Sequence, residues 1–180
     1  ENMETTEHII EEYMRHCLKW FTTSNIKAKG NTEADILAVD KDGNKYWIEC
    51  QITHKKHLAL KAKADEKDFQ NISRKEGDKK SWRHRNSIDF FVKQKFGNKN
   101  IKEEIEKYGF KDGNYKKVVV CWQINDKDKT NVLEYAKKND INEIWELKDK
   151  LKILMSEIGD TYYFDDILRT LQLVNKSQDN

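Results

Sequence analysis

The sequence predicts an α/β domain in which helices flank a mixed central β-sheet. Three patterns support this: a hairpin-like segment over residues 34–53, a continuous apolar run over residues 118–122, and amphipathic helical stripes around them. A continuous apolar run is typical of a strand that is covered on both faces. With 180 residues, 37% of them hydrophobic, the chain is long enough to bury one core. We therefore expect a single domain over residues 1–180.

A helix and a β-hairpin are the first predicted elements. Behind Thr5 or Thr6 as N-cap, apolar residues recur at helical spacing: Ile9, Ile10, Tyr13, Met14, Cys17, Leu18 and Phe21. After an irregular stretch, residues 34–39 and 46–53 predict two strands. Gly43 suits the left-handed position of a three-residue loop over residues 41–43. A two-residue Asp42-Gly43 turn is the alternative, and it would shift the strand pairing by one.

The second half of the chain predicts further helices and two more strands. A weak helical stripe is formed by Leu58, Ala62, Phe69 and Ile72, and a stronger one by Ile88, Phe91, Val92 and Phe96. Residues 117–124 predict a central strand, residues 130–138 a helix and residues 143–146 a short strand. Two helices follow, one through Leu147, Leu151, Leu154, Met155 and Ile158 and the last through Ile167, Leu168, Leu171 and Val174. This order of elements is typical of an α/β architecture.

Charge is distributed unevenly along the chain. There are 34 Lys and Arg against 32 Asp and Glu, a formal net charge of +2. Between residues 54 and 85, however, eleven basic residues stand against five acidic ones. A basic stripe on a nearly neutral protein suggests a polyanionic ligand, and a solvated charged face is the alternative.

Several protein classes are excluded by composition. The longest apolar run is far shorter than the roughly 20 residues that a membrane helix needs, so no transmembrane span is expected. The N-terminus is polar and acidic rather than basic and apolar, so we expect an intracellular protein, most simply a cytoplasmic one. Cys17, Cys50 and Cys121 are odd in number and lie far apart among apolar residues. This spacing favours reduced, buried thiols over a disulfide frame or a zinc site.

Two carboxylates are expected to meet inside the hairpin. If residues 41–43 form the loop, cross-strand partners have numbers that sum to 84, which places Asp35 opposite Glu49 with Cβ atoms about 5 Å apart. Like charges at this distance destabilise a sheet unless a cation compensates them. Mg²⁺ prefers such oxygen ligands and would position a phosphodiester. Gln51, on the same face as Glu49, could orient a water. A solvated edge-strand face is the alternative.

These residues resemble a known family, the PD-(D/E)XK nucleases, which share the restriction-endonuclease-like fold. The segments EADILAV (residues 33–39) and YWIECQITHKKH (46–57) are similar to its Asp strand and its Glu-x-Lys strand. Within the family, these segments are most similar to archaeal Holliday junction resolvases and Mrr-like restriction enzymes. KKVVVCWQIN and AKKNDINEIWEL resemble the family's later core strands and helix. Residues 160–180 lie outside the resemblance, as a C-terminal helical extension.

The resemblance implies roles for individual residues. Asp35 and Glu49 would bind catalytic Mg²⁺, for which Mn²⁺ substitutes, and the Cys50 carbonyl is a further candidate ligand. Gln51 takes the place that usually holds Lys. Glu7 matches a helical Glu that many members use as a metal or water ligand. Glu11 is its rival on the same stripe, and a simple first-turn acid is the alternative reading of Glu7.

The function implied is Mg²⁺-dependent endonucleolytic cleavage of DNA, either restriction-like or specific for junctions or other structures. A nuclease-like fold that has lost catalysis and serves as a DNA-binding or assembly module is the alternative, and an RNA-directed role is a third. The family often forms dimers, so a homodimer is a candidate assembly. Trp82 is either a base-stacking residue or a loop anchor. The expected phosphate-binding residues are Lys55, Lys56, Lys61, Lys63, Arg74, Lys79, Lys80, Arg83 and Arg85.

Overall fold

A mixed five-stranded sheet forms the centre of the molecule. The computed structural model describes residues 4–52, 59–72, 79–159, 161 and 163–178, without the side chains of residues 72, 79 and 178. Its strands, in the order in which they lie side by side, are β1 (Phe21–Ala28), β2 (Thr32–Val39), β3 (Lys45–Cys50), β6 (Tyr115–Cys121) and β7 (Glu143–Glu146). The first three strands are antiparallel, and β3, β6 and β7 run parallel.

Helices cover both faces of this sheet, so the α/β class with a mixed, helix-flanked sheet is confirmed. The helices are α1 (Thr5–Tyr13), α2 (Ile88–Phe90), α3 (Lys99–Glu106), α4 (Lys129–Lys138), α5 (Leu147–Glu157) and α6 (Asp166–Gln178). One face of the sheet packs against α2, α3 and α4, and the other face packs against α1, α5 and α6. Side chains alternate along β3, so that Trp47 points to the first core and Ile48 to the second.

Two of the helices continue into wider π-helical turns. One covers Met14–Leu18 after α1, and the other covers Phe91–Phe96 after α2. Turns of this kind are rare and frequently lie at functional sites. None of the helices that the structure describes combines the length and the apolar character needed to cross a bilayer.

Strand β1 was not predicted. The helical pattern placed Phe21 on the first helix, and an irregular stretch was expected after it. The helical segment ends before Phe21 because Lys19 adopts a left-handed conformation with φ of 59°. Phe21 then pairs with Val39 in the sheet and is 80% exposed. An edge strand with polar residues gives neither an alternating nor a continuous apolar signal, which explains the error.

The weak helical stripe from Leu58 to Ile72 was also misread. Leu58 lies outside the described residues, and Phe69–Ile72 is a strand, β4, that pairs with β5 (Lys79–Trp82). The two-stranded ladder is held by the cross-strand contact of Phe69 and Trp82, whose ring centroids are 4.6 Å apart. No helix was predicted for residues 99–106, which form α3. The Asn98 side chain caps this helix by accepting the N–H groups of Asn100 and Ile101.

The predicted hairpin loop and its register are confirmed. Ile36 pairs with Ile48 and Leu37 with Trp47, as the three-residue loop requires. Gly43 has φ of +82°, and its N–H donates to the Asp40 carbonyl at 3.1 Å. The Asp40 carboxylate accepts the N–H groups of Asp42 and Asn44, which fixes the loop. The second strand is shorter than expected: it ends at Cys50, and Thr53 lies outside the described residues.

Candidate active site

The carboxylates of Asp35, in the middle of β2, and of Glu49, near the end of β3, are brought together by a shared contact with Lys95. Asp35 is 3% exposed and Glu49 is fully buried. The Cys50 N–H donates to Asp35 Oδ2 at 2.8 Å, and the Trp47 indole N–H donates to Glu49 Oε1 at 2.5 Å. The register of the hairpin therefore delivers two acids into a site from which water is largely excluded.

Lys95 is the third member of this cluster, and sequence reasoning missed it. Its Nζ lies 2.9 Å from Asp35 Oδ1 and 2.6 Å from Glu49 Oε2. The side chain comes from the π-helical turn over Phe91–Phe96 and is 18% exposed. One signal could have revealed it, because residue 95 falls on the helical stripe of Ile88 and Phe91, where an apolar residue is expected.

The electrostatics of the cluster are set by burial and by mutual attraction. Burial raises the pKa of Glu49 well above its usual range, and the neighbouring Asp35 carboxylate adds to this. Burial alone would lower the pKa of Lys95, but the attraction of Glu49 and Asp35 outweighs it and raises that pKa. Glu49 Oε2 is buried and lies 2.6 Å from Lys95 Nζ in an ion pair. A carboxylate oxygen has two lone pairs, so this oxygen can accept a further ligand beside Lys95.

Glu7 and Glu11 are separated by the structure. Glu7 lies on the wall of the same cleft and is 7% exposed. Burial, followed by repulsion from Asp35, raises the pKa of Glu7 to about 7. Glu11 instead accepts hydrogen bonds from Arg15 and from the Thr22 hydroxyl, each at 2.8 Å. Glu7 is therefore the helical acid that shares a cleft with Asp35, and Glu11 belongs to an ion-pair network between α1 and β1.

The cleft has a volume of about 290 Å³ and a strongly charged wall. Gln51 lies on that wall, and its backbone N–H continues the ladder by donating to the Val120 carbonyl at 3.1 Å. Because the Cys50 N–H points towards Asp35, the carbonyl of the same residue is directed towards that neighbouring strand as well. The remaining lining residues include Glu4, Asn25, Lys27, Glu33 and Arg85.

A larger cleft, of about 820 Å³, lies at the start of β6 and β7. Its carboxylates, Asp112 and Asp140, are exposed to solvent. Carboxylates whose pKa is raised by burial and by neighbouring charge are instead found at the smaller cleft, where such shifts favour a functional site.

The expected phosphate-binding residues are dispersed. Lys55, Lys56 and Arg74 lie outside the described residues, as does the Lys79 side chain. Lys61 is held by Asp68 and Asp65, at 2.6 and 2.9 Å, and the Lys63 ammonium lies 5.6 Å from the centre of the Tyr135 ring. Lys80, Arg83 and Arg85 are exposed.

Trp82 and Arg85, two predicted nucleic-acid contacts, have different surroundings in the structure. The Trp82 ring packs on Phe69 and Phe90, at centroid distances of 4.6 and 5.4 Å, which fits the loop-anchor reading. Arg85 lines the cleft, and its guanidinium lies 5.7 Å from the centre of the Phe90 ring. Among the predicted basic residues whose side chains the structure describes, Arg85 is thus the one that lines the cleft of the carboxylates.

Taken together, the cleft is lined by the buried acids Glu7 and Asp35, by the largely buried Lys95 ammonium, which also contacts the fully buried Glu49, and by Arg85. Acids in this arrangement can hold a divalent cation, and the basic groups can bind an anionic substrate beside it. No protein-family model, no curated protein and no solved structure matches this chain.

Replacing Lys95 tests whether its charge holds the site together. We expect Lys95→Met to lower the free energy of unfolding by about 3 kcal/mol in EDTA, because it leaves two buried carboxylates without their cation. Urea denaturation measures the effect. Lys93→Met, at an exposed position of the same turn, is the matched control and should stay within about 0.5 kcal/mol of the wild type. A loss below about 1 kcal/mol for Lys95→Met would refute this role, and added Mg²⁺ or Mn²⁺ should recover part of the larger loss.

The raised pKa of Glu7 makes stability depend on pH. The ordinary pKa is 4.5 and the folded-state pKa is about 7, so the folded state retains a proton that the unfolded state loses between these values. Wild-type stability should therefore fall as the pH rises through this window. Glu7→Gln removes the penalty and should be more stable by about 1–2 kcal/mol at pH 8, after allowance for screening by water in the cleft.

This difference should vanish below about pH 4.5, where Glu7 is protonated in both states. Urea denaturation in EDTA between pH 4 and 8 measures it. Glu134→Gln, on the exposed face of α4, should show no such pH-dependent gain. A Glu7→Gln difference that stayed constant with pH would contradict the proposed ionisation.

Proposed function

We propose that this protein is a metal-dependent endonuclease of the restriction-endonuclease-like fold that hydrolyses phosphodiester bonds in DNA. The observation that supports the proposal best is the buried Asp35–Lys95–Glu49 cluster in a cleft that also contains Glu7, Gln51 and Arg85. A structural ion pair alone does not require this density of acids at the mouth of a cleft. Burying them costs free energy that a functional role explains.

The residues present fit a hard divalent cation such as Mg²⁺ or Mn²⁺. Asp35 and Glu49 would supply carboxylate oxygens, and Glu49 Oε2 has a second lone pair besides the one that faces Lys95. The Cys50 carbonyl completes a set of oxygen donors, the ligand type that Mg²⁺ prefers. When bound, such an ion lowers the pKa of a coordinated water, polarises the phosphoryl group and stabilises the leaving oxygen.

The other residues of the cleft would act on the substrate and on the attacking water. The Lys95 ammonium can donate to a phosphate oxygen and stabilise the charge that develops there, a role that the resemblance alone would have given to position 51. The Gln51 amide is placed to orient a water. Glu7, with its pKa raised to about 7, is suited to accept a proton near neutral pH. Arg85 at the edge would hold an adjacent phosphate.

A DNA-binding or assembly module without catalysis is the second candidate. One observation favours it: Lys95 already compensates Asp35 and Glu49 at 2.9 and 2.6 Å, so the acids do not need a metal ion to be buried. The two functions differ in their dependence on metal. Cleavage requires the divalent cation, whereas binding by the basic residues proceeds in EDTA.

Removing one carboxylate separates these two functions. We expect the full chain to cleave at least one of duplex, single-stranded or four-way-junction DNA in Mg²⁺ or Mn²⁺ and not in EDTA. Asp35→Asn should lower the cleavage rate at least about 100-fold, because it removes a metal ligand and retains the shape of the side chain. Binding in EDTA, measured by fluorescence anisotropy, should persist.

Glu33→Gln is the matched control, since Glu33 lies on the same strand but at the half-exposed rim, paired with Lys27. It should retain most of the activity. Cleavage by Asp35→Asn at the wild-type rate would exclude this metal site. Binding in EDTA without cleavage of any substrate would instead favour the module without catalysis.

The basic residues should control affinity and its dependence on salt. Joint replacement of Lys80, Arg83 and Arg85 by Ala should weaken DNA binding to a similar extent for all sequences and reduce the slope of log K against log [salt] by about 2–3. Anisotropy titrations at several salt concentrations measure both effects. Replacement of Lys111, Lys127 and Lys138, which are exposed and do not line the cleft, is the control. An unchanged slope in the first variant would reject the predicted interface.

A further inference from the structure

A second cluster of ligand-type side chains lies where α1 meets the start of α6. His8 and Glu12 are one helical turn apart on α1, and Asp165 directly precedes α6. His8 Nε2 lies 2.9 Å from Asp165 Oδ2 and 3.7 Å from Glu12 Oε1. One ligand atom from each residue lies within 4.8 Å of the other two. These three residues do not line the cleft of Asp35.

The spacing of these atoms matches that of a tetrahedral zinc site. Zinc bonds to imidazole nitrogen and carboxylate oxygen are about 2.1 Å long, so two ligand atoms in a tetrahedral site are about 3.4 Å apart. The observed separations of 2.9 and 3.7 Å lie on either side of this value. An imidazole with two carboxylates is a set that suits Zn²⁺, whereas Mg²⁺ favours oxygen ligands alone.

Neighbouring groups hold the two carboxylates in the orientation that such a site needs. Asp165 Oδ1 accepts the N–H of Leu168 at 3.0 Å as the cap of α6, which directs Oδ2 towards His8. Glu12 is 5% exposed, and its second oxygen, Oε2, lies 3.0 Å from His16 Nε2. Partners of this kind orient metal ligands in known sites.

One nearby cation competes for Glu12. Arg15 Nη1 lies 3.4 Å from Glu12 Oε1. The closer contacts of Arg15 are elsewhere, since its Nη2 and Nε donate to Glu11 and to the Thr22 hydroxyl, each at 2.8 Å. Arg15 is therefore held mainly by Glu11 and Thr22, and its contact with Glu12 is the longest of the three.

We propose that His8 Nε2, Glu12 Oε1 and Asp165 Oδ2 form a binding site for Zn²⁺, separate from the Asp35 cleft, with water as the fourth ligand. The ion would link α1, which carries Glu7 on its other side, to the C-terminal helix α6. Leu168 of α6 is buried in the same core as Ile10 of α1, so the two helices are already packed and the site is preorganised. The role of the ion is structural, as a clamp for the C-terminal helix.

Calorimetric titration of the full chain with ZnCl₂ tests the site. The double variant Asp35→Asn, Glu49→Gln removes the two proposed metal ligands of the cleft, and His8→Ala in this background identifies the zinc that belongs to the second site. We expect one Zn²⁺ per chain in this background, retained in excess Mg²⁺. His8→Ala should weaken it at least 10-fold because it removes the nitrogen ligand.

Two matched controls separate coordination from general charge effects. Asp165→Asn keeps the cap of α6 but loses the charged ligand and should weaken binding, whereas Asp166→Asn, one residue on and exposed, should not. His84→Ala removes a half-exposed histidine far along the chain and should leave the affinity unchanged. In the double-variant background, Zn²⁺ should also raise the melting temperature, and His8→Ala should abolish this rise.

Other outcomes would overturn the proposal. No zinc bound in the double variant, or zinc whose affinity His8→Ala and Asp165→Asn leave unchanged, would show that the cluster is only a set of ion pairs. If the double variant does not fold, the comparison is made in the wild-type background. There, loss of one zinc ion in His8→Ala supports the site, and unchanged stoichiometry and affinity exclude it. None of these results depends on whether the Asp35 cleft cleaves DNA.

Discussion

The compensation of two buried carboxylates by one lysine is the constraint on which the candidate site depends. Asp35 and Glu49 lie side by side where water cannot screen them, and the Lys95 ammonium contacts both. Breaking such a cluster leaves an unpaired buried charge, which is far more costly than losing a surface ion pair. The cluster therefore couples the hairpin to the π-helical turn over Phe91–Phe96, so that the cleft is built from both halves of the chain.

The arrangement starts from local chemistry in the loop. Gly43 in its left-handed conformation fixes a three-residue connection, and that connection sets the register in which Asp35 is carried opposite Glu49. Strand β6 then pairs with the other edge of β3, with Val119 beside Glu49, which is fully buried. The turn thus sets the register of the two acids, and the pairing with β6 places Glu49 on a strand inside the sheet.

How much could be predicted from the sequence depends on how far apart along the chain the interacting residues lie. The register of Asp35 and Glu49 is a property of the fifteen consecutive residues 35–49, and the burial of Glu7 is indicated by its place on an apolar helical stripe. Lys95 lies 60 positions from Asp35 along the chain. No local sequence pattern predicts which acid a buried lysine will contact. The polar edge strand β1 and the β4-β5 ladder were misread for the same reason, because their stability comes from cross-strand partners rather than from periodicity.

The balance of charge supports the proposed metal site, even though Lys95 already contacts two of the acids. Burial and, after it, repulsion from Asp35 raise the pKa values of Glu7 and Glu49. If all three acids were ionised, they would carry three negative charges against the one positive charge of Lys95. A divalent cation would supply the missing charge and favour the ionised carboxylates, so that metal binding and proton release are coupled. Lys95 would then be needed less for the acids, and its ammonium would be available to an anionic substrate. The same lysine can thus stabilise the fold without metal and assist a phosphate with it, which reconciles the structural and the catalytic reading of the cluster.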